Sequence, residues 1–385
     1  MRFPEFSGEW EMSSIGEQFE LYSGNTPSRM NKNQFDGSIN WITSGELKEH
    51  YISDTKEKIS EEAAKNNSLK LLPVGTFVIA IYGLEANGVR GTCSITTRES
   101  TISQACMAFT SKMDIQNEFL YSWYKKHGNI IGIKYAQGTK QQNLSYDIIE
   151  RFNISYPCME EQKKLIRFIS LIDQRIATQN KIIYKLKSLI KGIYSSILWK
   201  DYRLVSLSEI FIERNERTTT NNQYQVLSST AKGLYRQSDY FDKEVASANN
   251  VGYKVLRLGD IVLSPQNLWL GNINYNDAFK IGIVSPSYKV FSIREGYNPY
   301  YVSCFLKTPK ALYEYANASE QGASVVRRNL DVNAFMAICF PMPNRIMQDR
   351  ISERVRAINM KLDIEKQVFE KLNIEKQYLL RQLFI

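Results

Sequence analysis

Histidine is almost missing from this chain. His50 and His127 are the only two in 385 residues, and neither has neighbours arranged for nucleophilic or metal chemistry. Cysteine is scarce as well. Cys93, Cys106, Cys158, Cys304 and Cys339 are odd in number, scattered and never closely paired, so they read as reduced thiols of a cytoplasmic protein and not as disulfides or zinc ligands. No glycine-rich loop ends in Lys-Ser or Lys-Thr, which excludes a P-loop ATPase. No apolar run approaches membrane-spanning length, and Met1-Arg2-Phe3-Pro4-Glu5-Phe6 is no secretory segment, so no membrane partner is expected. The expectation is a protein with no catalytic residue, no metal and no cofactor.

What the chain does contain, it contains twice. Residues 143–198 lie over residues 329–384 without a gap at a shift of 186: Asn143-Leu144 on Asn329-Leu330, Pro157 on Pro343, Gln162 on Gln348, Ile172 on Ile358, Lys185-Leu186 on Lys371-Leu372. Identities are few, and the apolar positions carry the case. Leu165, Ile169, Ile172, Ile176, Ile183, Leu186, Ile193 and Ile197 fall on Ile351, Val355, Ile358, Leu362, Phe369, Leu372, Leu379 and Leu383, a heptad seam at the end of each half. Upstream the match continues with small indels, residues 72–78 on 256–262, 103–109 on 285–291, and Asn117 on Asn298.

The two seams predict two long helices, residues 160–198 and 346 to the C-terminus, each starting just after a proline that closes a strand-like run. The first is a rod of roughly 58 Å at about 1.5 Å per residue. Each seam is interrupted at an equivalent position, by Gln179 and Glu365, which suggests that the rods pair with each other in a fixed register. They serve either to dimerise the protein or to space its halves. Lys163, Lys164, Arg167, Arg175, Lys181, Lys185, Lys187 and Lys191 outnumber Glu160, Glu161 and Asp173 on the first rod; the excess suits a phosphate backbone and equally a solvated face.

Charge points to a polyanion without proving one. The chain holds 49 basic against 40 acidic residues, a net +9, with a pI near 9.1. Within the first half, strands are expected at residues 39–43, 76–82 and 102–109 and helices at 60–71 and 117–127, a mixed α/β pattern. Two polar loops stand out there, Leu21-Tyr22-Ser23-Gly24-Asn25-Thr26-Pro27-Ser28-Arg29 and Tyr135-Ala136-Gln137-Gly138-Thr139-Lys140-Gln141-Gln142-Asn143-Leu144, the second echoed by residues 320–330. Amide and cationic side chains of this kind pair with adenine and guanine edges, although loop polarity also satisfies solvent. Tyrosines beside cations, such as Tyr22 with Arg29, Tyr82 with Arg90 and Tyr235 with Arg236, suit phosphate contacts.

One motif is a decoy. Asn298-Pro299-Tyr300-Tyr301 resembles the Asn-Pro-Pro-Tyr/Phe motif of amino-methyltransferases, but no Phe-x-Gly-x-Gly loop accompanies it. Its counterpart, Asn117-Glu118-Phe119-Leu120, keeps only the asparagine, and both read as helix starts capped by asparagine.

Over its whole length the chain resembles the specificity subunit of a type I restriction-modification system. The resemblance is carried by Arg2-Phe3-Pro4-Glu5-Phe6-Ser7-Gly8-Glu9-Trp10-Glu11, Tyr22-Ser23-Gly24-Asn25-Thr26-Pro27-Ser28, Trp41-Ile42-Thr43-Ser44-Gly45-Glu46-Leu47, Gly138-Thr139 leading to Gln142-Asn143-Leu144, and Pro157 followed by Glu161-Gln162. The second half departs from the pattern: Val226-Leu227-Ser228-Ser229-Thr230 stands where the tryptophan motif was, and Gly322-Ala323-Ser324 replaces Gly-Thr.

The resemblance implies a non-catalytic subunit of the α/β class. It would have two tandem mixed α/β target recognition domains, residues 1–156 and 200–342, separated by two long antiparallel coiled-coil helices, residues 157–199 and 343–385, with an internal pseudo-two-fold repeat. Its partners would be double-stranded DNA carrying a split target, two methyltransferase subunits bringing S-adenosylmethionine chemistry, and ATP-driven restriction subunits the assembly can recruit. The candidate DNA-contacting residues in the first half are Tyr22, Ser23, Asn25, Thr26, Arg29, Ser44, Gln137, Thr139, Lys140, Gln141, Gln142 and Asn143. In the second half they are Ser229, Lys232, Gln266, Asn267, Arg327, Arg328 and Asn329. The residues alone leave two other readings open, an oligomerising coiled-coil scaffold with an incidental basic surface and a sequence-independent nucleic-acid binder.

Overall fold

The two proline-free seams form the two long helices. In the computed structural model, which describes residues 2–112, 114–138, 141–198, 200–240, 249–321 and 327–384, α5 spans Met159–Leu198 and α11 spans Arg345–Leu383. Thr139, Lys140 and residues 322–326 lie outside the described residues. Contacts divide the chain into two compact units, Met1–Asn180 with Gln367–Ile385, and Lys181–Lys366, so each unit takes part of both long helices. The boundaries read from sequence, at 156, 199 and 342, instead set the helices apart from the globular parts.

In the first unit β1 (Glu11–Ser14) leads into one helical turn, α1 (Ile15–Gln18), started by a Ser14–Glu17 capping box. The main sheet has the order β2-β9-β6-β7-β4, made of β2 (Phe19–Ser23), β4 (Tyr51–Ile52), β6 (Phe77–Ala80), β7 (Cys93–Thr96) and β9 (Cys106–Ser111). Beside it lies a small sheet, β5-β3-β8, from β3 (Ile39–Ile42), β5 (Lys58–Ile59) and β8 (Ser100–Ile102). The run expected as one strand over 102–109 is therefore two, divided by a turn at Ser103. Helix α2 (Glu61–Asn66) is shorter than expected, because Ser68 takes a left-handed conformation, φ 53°, that a helix cannot contain. Helix α3 (Asn117–Tyr135) is longer, running through Gly128 and Gly132. After α4 (Tyr146–Glu150), β10 (Asn153–Tyr156) returns to pair antiparallel with β1.

The second unit repeats this plan. β11 (Leu204–Ser206), α6 (Leu207–Ile210) and β12 (Phe211–Arg214) enter as β1, α1 and β2 do. The hairpin β13 (Leu227–Thr230) and β14 (Gly233–Arg236) precedes a short α7 (Gln237–Tyr240) and β15 (Lys254–Arg257). Next come β16 (Ile261–Leu263), β17 (Ile273–Tyr275), β18 (Ile281–Val284) and β19 (Lys289–Ile293). The main sheet has the order β12-β19-β16-β17, the same as β2-β9-β6-β7. Helices α8 (Pro299–Ser303) and α9 (Pro309–Asn317), hairpin β20 (Ser319–Gln321) and β21 (Arg328–Leu330), and α10 (Val332–Ala337) follow. β22 (Cys339–Pro341) closes the unit by pairing with β11.

Equivalent residues form the two cores. Phe19 meets Phe109 and, in the other unit, Phe211 meets Phe291, ring centroids 6.0 and 5.2 Å apart. The seam residues Leu165 and Ile169 pack in the first core with Leu380, Leu383 and Phe384; Ile197 packs in the second. The two polar seam residues, Gln179 and Glu365, are both buried. The Pro-to-Gln motif has the same purpose in both units. Gln162 Nε2 donates to Pro157 O at 3.0 Å and its Oε1 accepts from Gln116 N at 3.0 Å, while Gln348 Nε2 donates to Pro343 O at 2.8 Å and its Oε1 accepts from Asn298 N at 2.8 Å. Buried amides bonded through both nitrogen and oxygen fix the root of each long helix to its globular part.

Candidate nucleic-acid interface

In the first unit three polar loops converge on one turn. Ser103 N donates to Ile42 O, just before Thr43-Ser44, and Ile81 N donates to Ala105 O, just before the loop that faces Gln142. Gly24 completes the set: a side chain there would stand 2.0 Å from Ile102 O, so the loop after β2 comes this close only through glycine.

Most of the loop after β2 is occupied with holding itself. Asn25 Nδ2 donates to Asn67 O at 3.3 Å, its Oδ1 accepts from Thr26 N at 2.8 Å, and its carbonyl accepts from the Trp41 indole at 3.2 Å. Arg29 makes a two-pronged ion pair with Glu57 at 2.7 and 2.9 Å and lies over the Phe35 and Trp41 rings. Tyr22 Oη accepts from Lys70 N at 2.9 Å. Ser23, Asn25, Thr26 and Arg29 are exposed, and Tyr22 and Ser44 are half-buried. The tryptophan motif is structural: Trp41 is 1% exposed, and Thr43 and Glu46 cap the short turn that carries Ser44.

The second loop is clamped. Gln137 and Asn143 exchange backbone hydrogen bonds of 2.9 Å, closing the loop, and Gly138 takes φ 108° at a point where a Cβ would meet Gln141 O at 2.0 Å. Four bonds from residues 83–90 then frame Gln142 and Asn143. Gln142 N donates to Glu85 Oε2 at 2.7 Å, Gln142 O accepts from Leu84 N at 3.0 Å, Gln142 Oε1 accepts from the Arg90 guanidinium at 2.5 Å, and Asn143 Oδ1 accepts from Gly83 N at 3.3 Å. The bond from Gln142 N holds the Glu85 carboxyl below its ordinary range. Arg90 reaches this position by crossing α3 at Gly132, where a Cβ would stand 2.6 Å from its Cγ. Gln137 and Gln141 are exposed. Glu85 is absent from the residues read from sequence, and Arg90 figures there only as a phosphate contact beside Tyr82, not as a clamp on Gln142; the glycines at 83, 88, 91, 128 and 132 were the available signal.

In the second unit three segments meet around β17. Ser229 is not on the surface at all. It is 3% exposed, donates to Asn272 Oδ1 at 2.7 Å and accepts from Asn274 Nδ2 at 2.7 Å. Its neighbour Lys232 is exposed at the tip of the β13–β14 turn. Lys307, which nothing in the sequence marked, holds the same hairpin, its Nζ donating to Asn274 Oδ1 at 2.6 Å and Ala231 O at 3.1 Å. Gln266 is exposed and Asn267 half-buried in the turn before Gly271, and Ser264 N at the start of that turn donates to Asn272 O. Arg328, equivalent in the repeat to Gln142, lies 4.3 Å over the Trp269 ring and donates to Ala316 O at 3.3 Å. Arg327 and Asn329 are exposed.

The two expected caps divide. Asn298 Oδ1 accepts from Tyr301 N at 2.9 Å and caps α8, but the cap of α3 is Gln116, and Asn117 is its first residue, its Nδ2 donating to Gly75 O at 2.7 Å. Among the described residues no group of His, Cys, Asp and Glu could hold a metal ion, and no helix is long and apolar enough to cross a membrane.

Residues 7–188 match the family described as type I restriction modification DNA specificity domain. The type I restriction enzyme MjaIX specificity subunit of Methanocaldococcus jannaschii is 29% identical over 185 residues, 46% of this chain and 42% of that protein. The EcoR124I/EcoR124II specificity subunit of Escherichia coli is 27% identical over 170 residues, 43% and 41%. The chain thus matches less than half the length of either. The MjaVIII specificity subunit of M. jannaschii aligns at 22% identity over 98% of this chain and 91% of its own. Among solved structures, the type I restriction-modification S subunit from M. genitalium superposes with a TM-score of 0.60 at 15% identity, covering 100% and 99% of the two chains, a likeness of fold.

Proposed function

From the match of residues 7–188 to the specificity-domain family and the similarity to specificity subunits over one half or the whole of the chain, we propose that it is the DNA-recognition subunit of a type I restriction-modification system, without chemistry of its own, reading a target in two parts. One observation carries the reading: each unit, on the same strand order, gathers its polar loops at one place on its own fold, while the loops themselves differ in chemistry. Like scaffolds with unlike loops suit a target of two unlike half-sequences. In this reading residues 1–156 and 200–342 are the target recognition domains. Exposed Lys232 and Arg327 contact phosphates, Gln141 and Gln142 read base edges, and the long helices set the number of base pairs between the half-sites. The internally paired Arg29 and the buried Ser229 act by holding their loops, not by touching DNA.

The partners in this reading are two methyltransferase subunits, which supply S-adenosylmethionine chemistry on adenine, and restriction subunits that join the same assembly. The test is to express the chain with its methyltransferase partner in a host free of adenine methylation and sequence the methylated positions. One bipartite motif that disappears when this chain is omitted is expected. Methylation that is unchanged without the chain, or methyl transfer by the isolated chain, would overturn the proposal.

A further inference from the structure

The internal repeat is its own control, and one joint in it differs. In the first unit aromatic side chains meet between the end of α11 and the start of α3: Trp123, Phe119 and Phe384 are buried, with the Phe119 and Phe384 rings 5.2 Å apart. Lys126 closes that joint, its ammonium donating to the carbonyls of Arg381 and Phe384. The equivalents in the second unit are Cys304 for Trp123, Tyr300 for Phe119, Leu198 for Phe384 and Lys307 for Lys126. There the joint is a cleft of about 820 Å3, within the range that takes small molecules.

Two features say what would fill it. The space is the counterpart of one taken up in the first unit by an indole and a phenyl ring, and its walls carry the Tyr194, Tyr275 and Tyr300 rings. The Tyr300 hydroxyl accepts from Asn359 Nδ2 at 3.0 Å, leaving its own proton to give. The charged lining is mainly cationic, Lys191, Lys307 and Lys310 against Asp277. Lys307 is exposed as a residue, and its ammonium donates to neutral oxygens of Asn274 and Ala231, where its equivalent in the first unit meets helix-end carbonyls. We propose that this cleft is a binding site for a small planar aromatic anion, the ring lying among the tyrosines and the negative group meeting Lys307 and Lys310.

The probe is 8-anilinonaphthalene-1-sulfonate, titrated into the full chain by fluorescence, with N-phenyl-1-naphthylamine as the same ring system without the charge. One saturable site is expected for the sulfonate. Cys304→Trp, which restores the residue of the other repeat, should weaken it at least tenfold without lowering the melting temperature. Ser195→Trp, on the exposed helix face at the edge of the cleft, should do the same if the first variant does not fold. Lys307→Met and Lys310→Met together should weaken the sulfonate about tenfold and leave the uncharged amine unchanged. A folded tryptophan variant that binds the sulfonate as the parent does would overturn the site. Equal behaviour of the two dyes toward the lysine variants would overturn the anion.

Discussion

If Gln142 reads a base, Arg90 should matter to specificity without touching DNA. Arg90→Met keeps an unbranched stem over Gly132, removes a guanidinium whose Nε is buried without a partner among the described residues, and removes the 2.5 Å bond to Gln142 Oε1. A hydrogen bond to a charged group contributes about 1.5–3 kcal/mol, and that loss is partly offset by the relief of the unpaired Nε, so folding stability should change little. Recognition is different. A free glutamine side chain has up to about 2 kcal/mol of rotamer entropy to lose when it engages a base, so binding to the specific duplex should weaken by about 1–2 kcal/mol, roughly 5- to 30-fold. Binding to random duplex should be nearly unchanged. The assay is competition anisotropy with both duplexes at several salt concentrations, on the chain assembled with its methyltransferase partners. Gln142→Ala alone should cost about 1–3 kcal/mol on the specific site, and the double variant should be no worse than Gln142→Ala. Additive losses would refute the clamp as a positioning device. Equal losses on both duplexes, with a salt slope lowered by about 0.9, would mean that Arg90 is itself a phosphate contact.

Three further outcomes can be checked. Ser229→Ala should lower stability by about 1–3 kcal/mol in denaturant titration, because it strands buried Asn272 and Asn274 groups; lost DNA affinity at unchanged stability would contradict its internal role. Burial lowers the His127 pKa from 6.5 to about 4, so the unfolded chain takes up a proton first as pH falls. Its contribution is complete above pH 6.5 and should be lost between there and about 4, a dependence that His127→Gln should flatten in melting experiments. Adding seven residues to each long helix, after Lys181 and after Gln367, lengthens each by about 10 Å, close to three base pairs at about 3.4 Å each. The preferred spacer should grow while the half-sequences stay the same, and an unchanged optimum would show that the helices are not the ruler.

The repeat was legible because it is written in apolar spacing, which burial dictates directly: seam residues such as Leu165, Ile169, Val355 and Leu383 are in the cores. The long helices also fell within a residue of their expected starts, since Pro157 and Pro343 mark those starts chemically. Polar residues were harder. A loop arginine or serine can face a ligand or satisfy a neighbour, and the neighbour is usually remote in sequence: Glu57 for Arg29, Asn272 and Asn274 for Ser229. Nothing in local pattern separates the two fates. The same limit hid Lys307, whose partner lies 33 residues away, and hid the bond by which Arg90, read from sequence only as a phosphate contact, holds Gln142 52 residues on.

The buried glutamines at the helix roots have a consequence for aim. A helix of 40 residues is about 60 Å long, so a pivot of 10° at its base would carry the far end through about 10 Å. That is the length of about three base pairs, enough to point at the wrong nucleotides. Gln162 and Gln348 each tie the first turn of a long helix to a proline carbonyl and to a backbone amide at the head of α3 or α8. In the proposed reading, the angular tolerance at these two roots would then bear on how sharply one spacing is distinguished from the next.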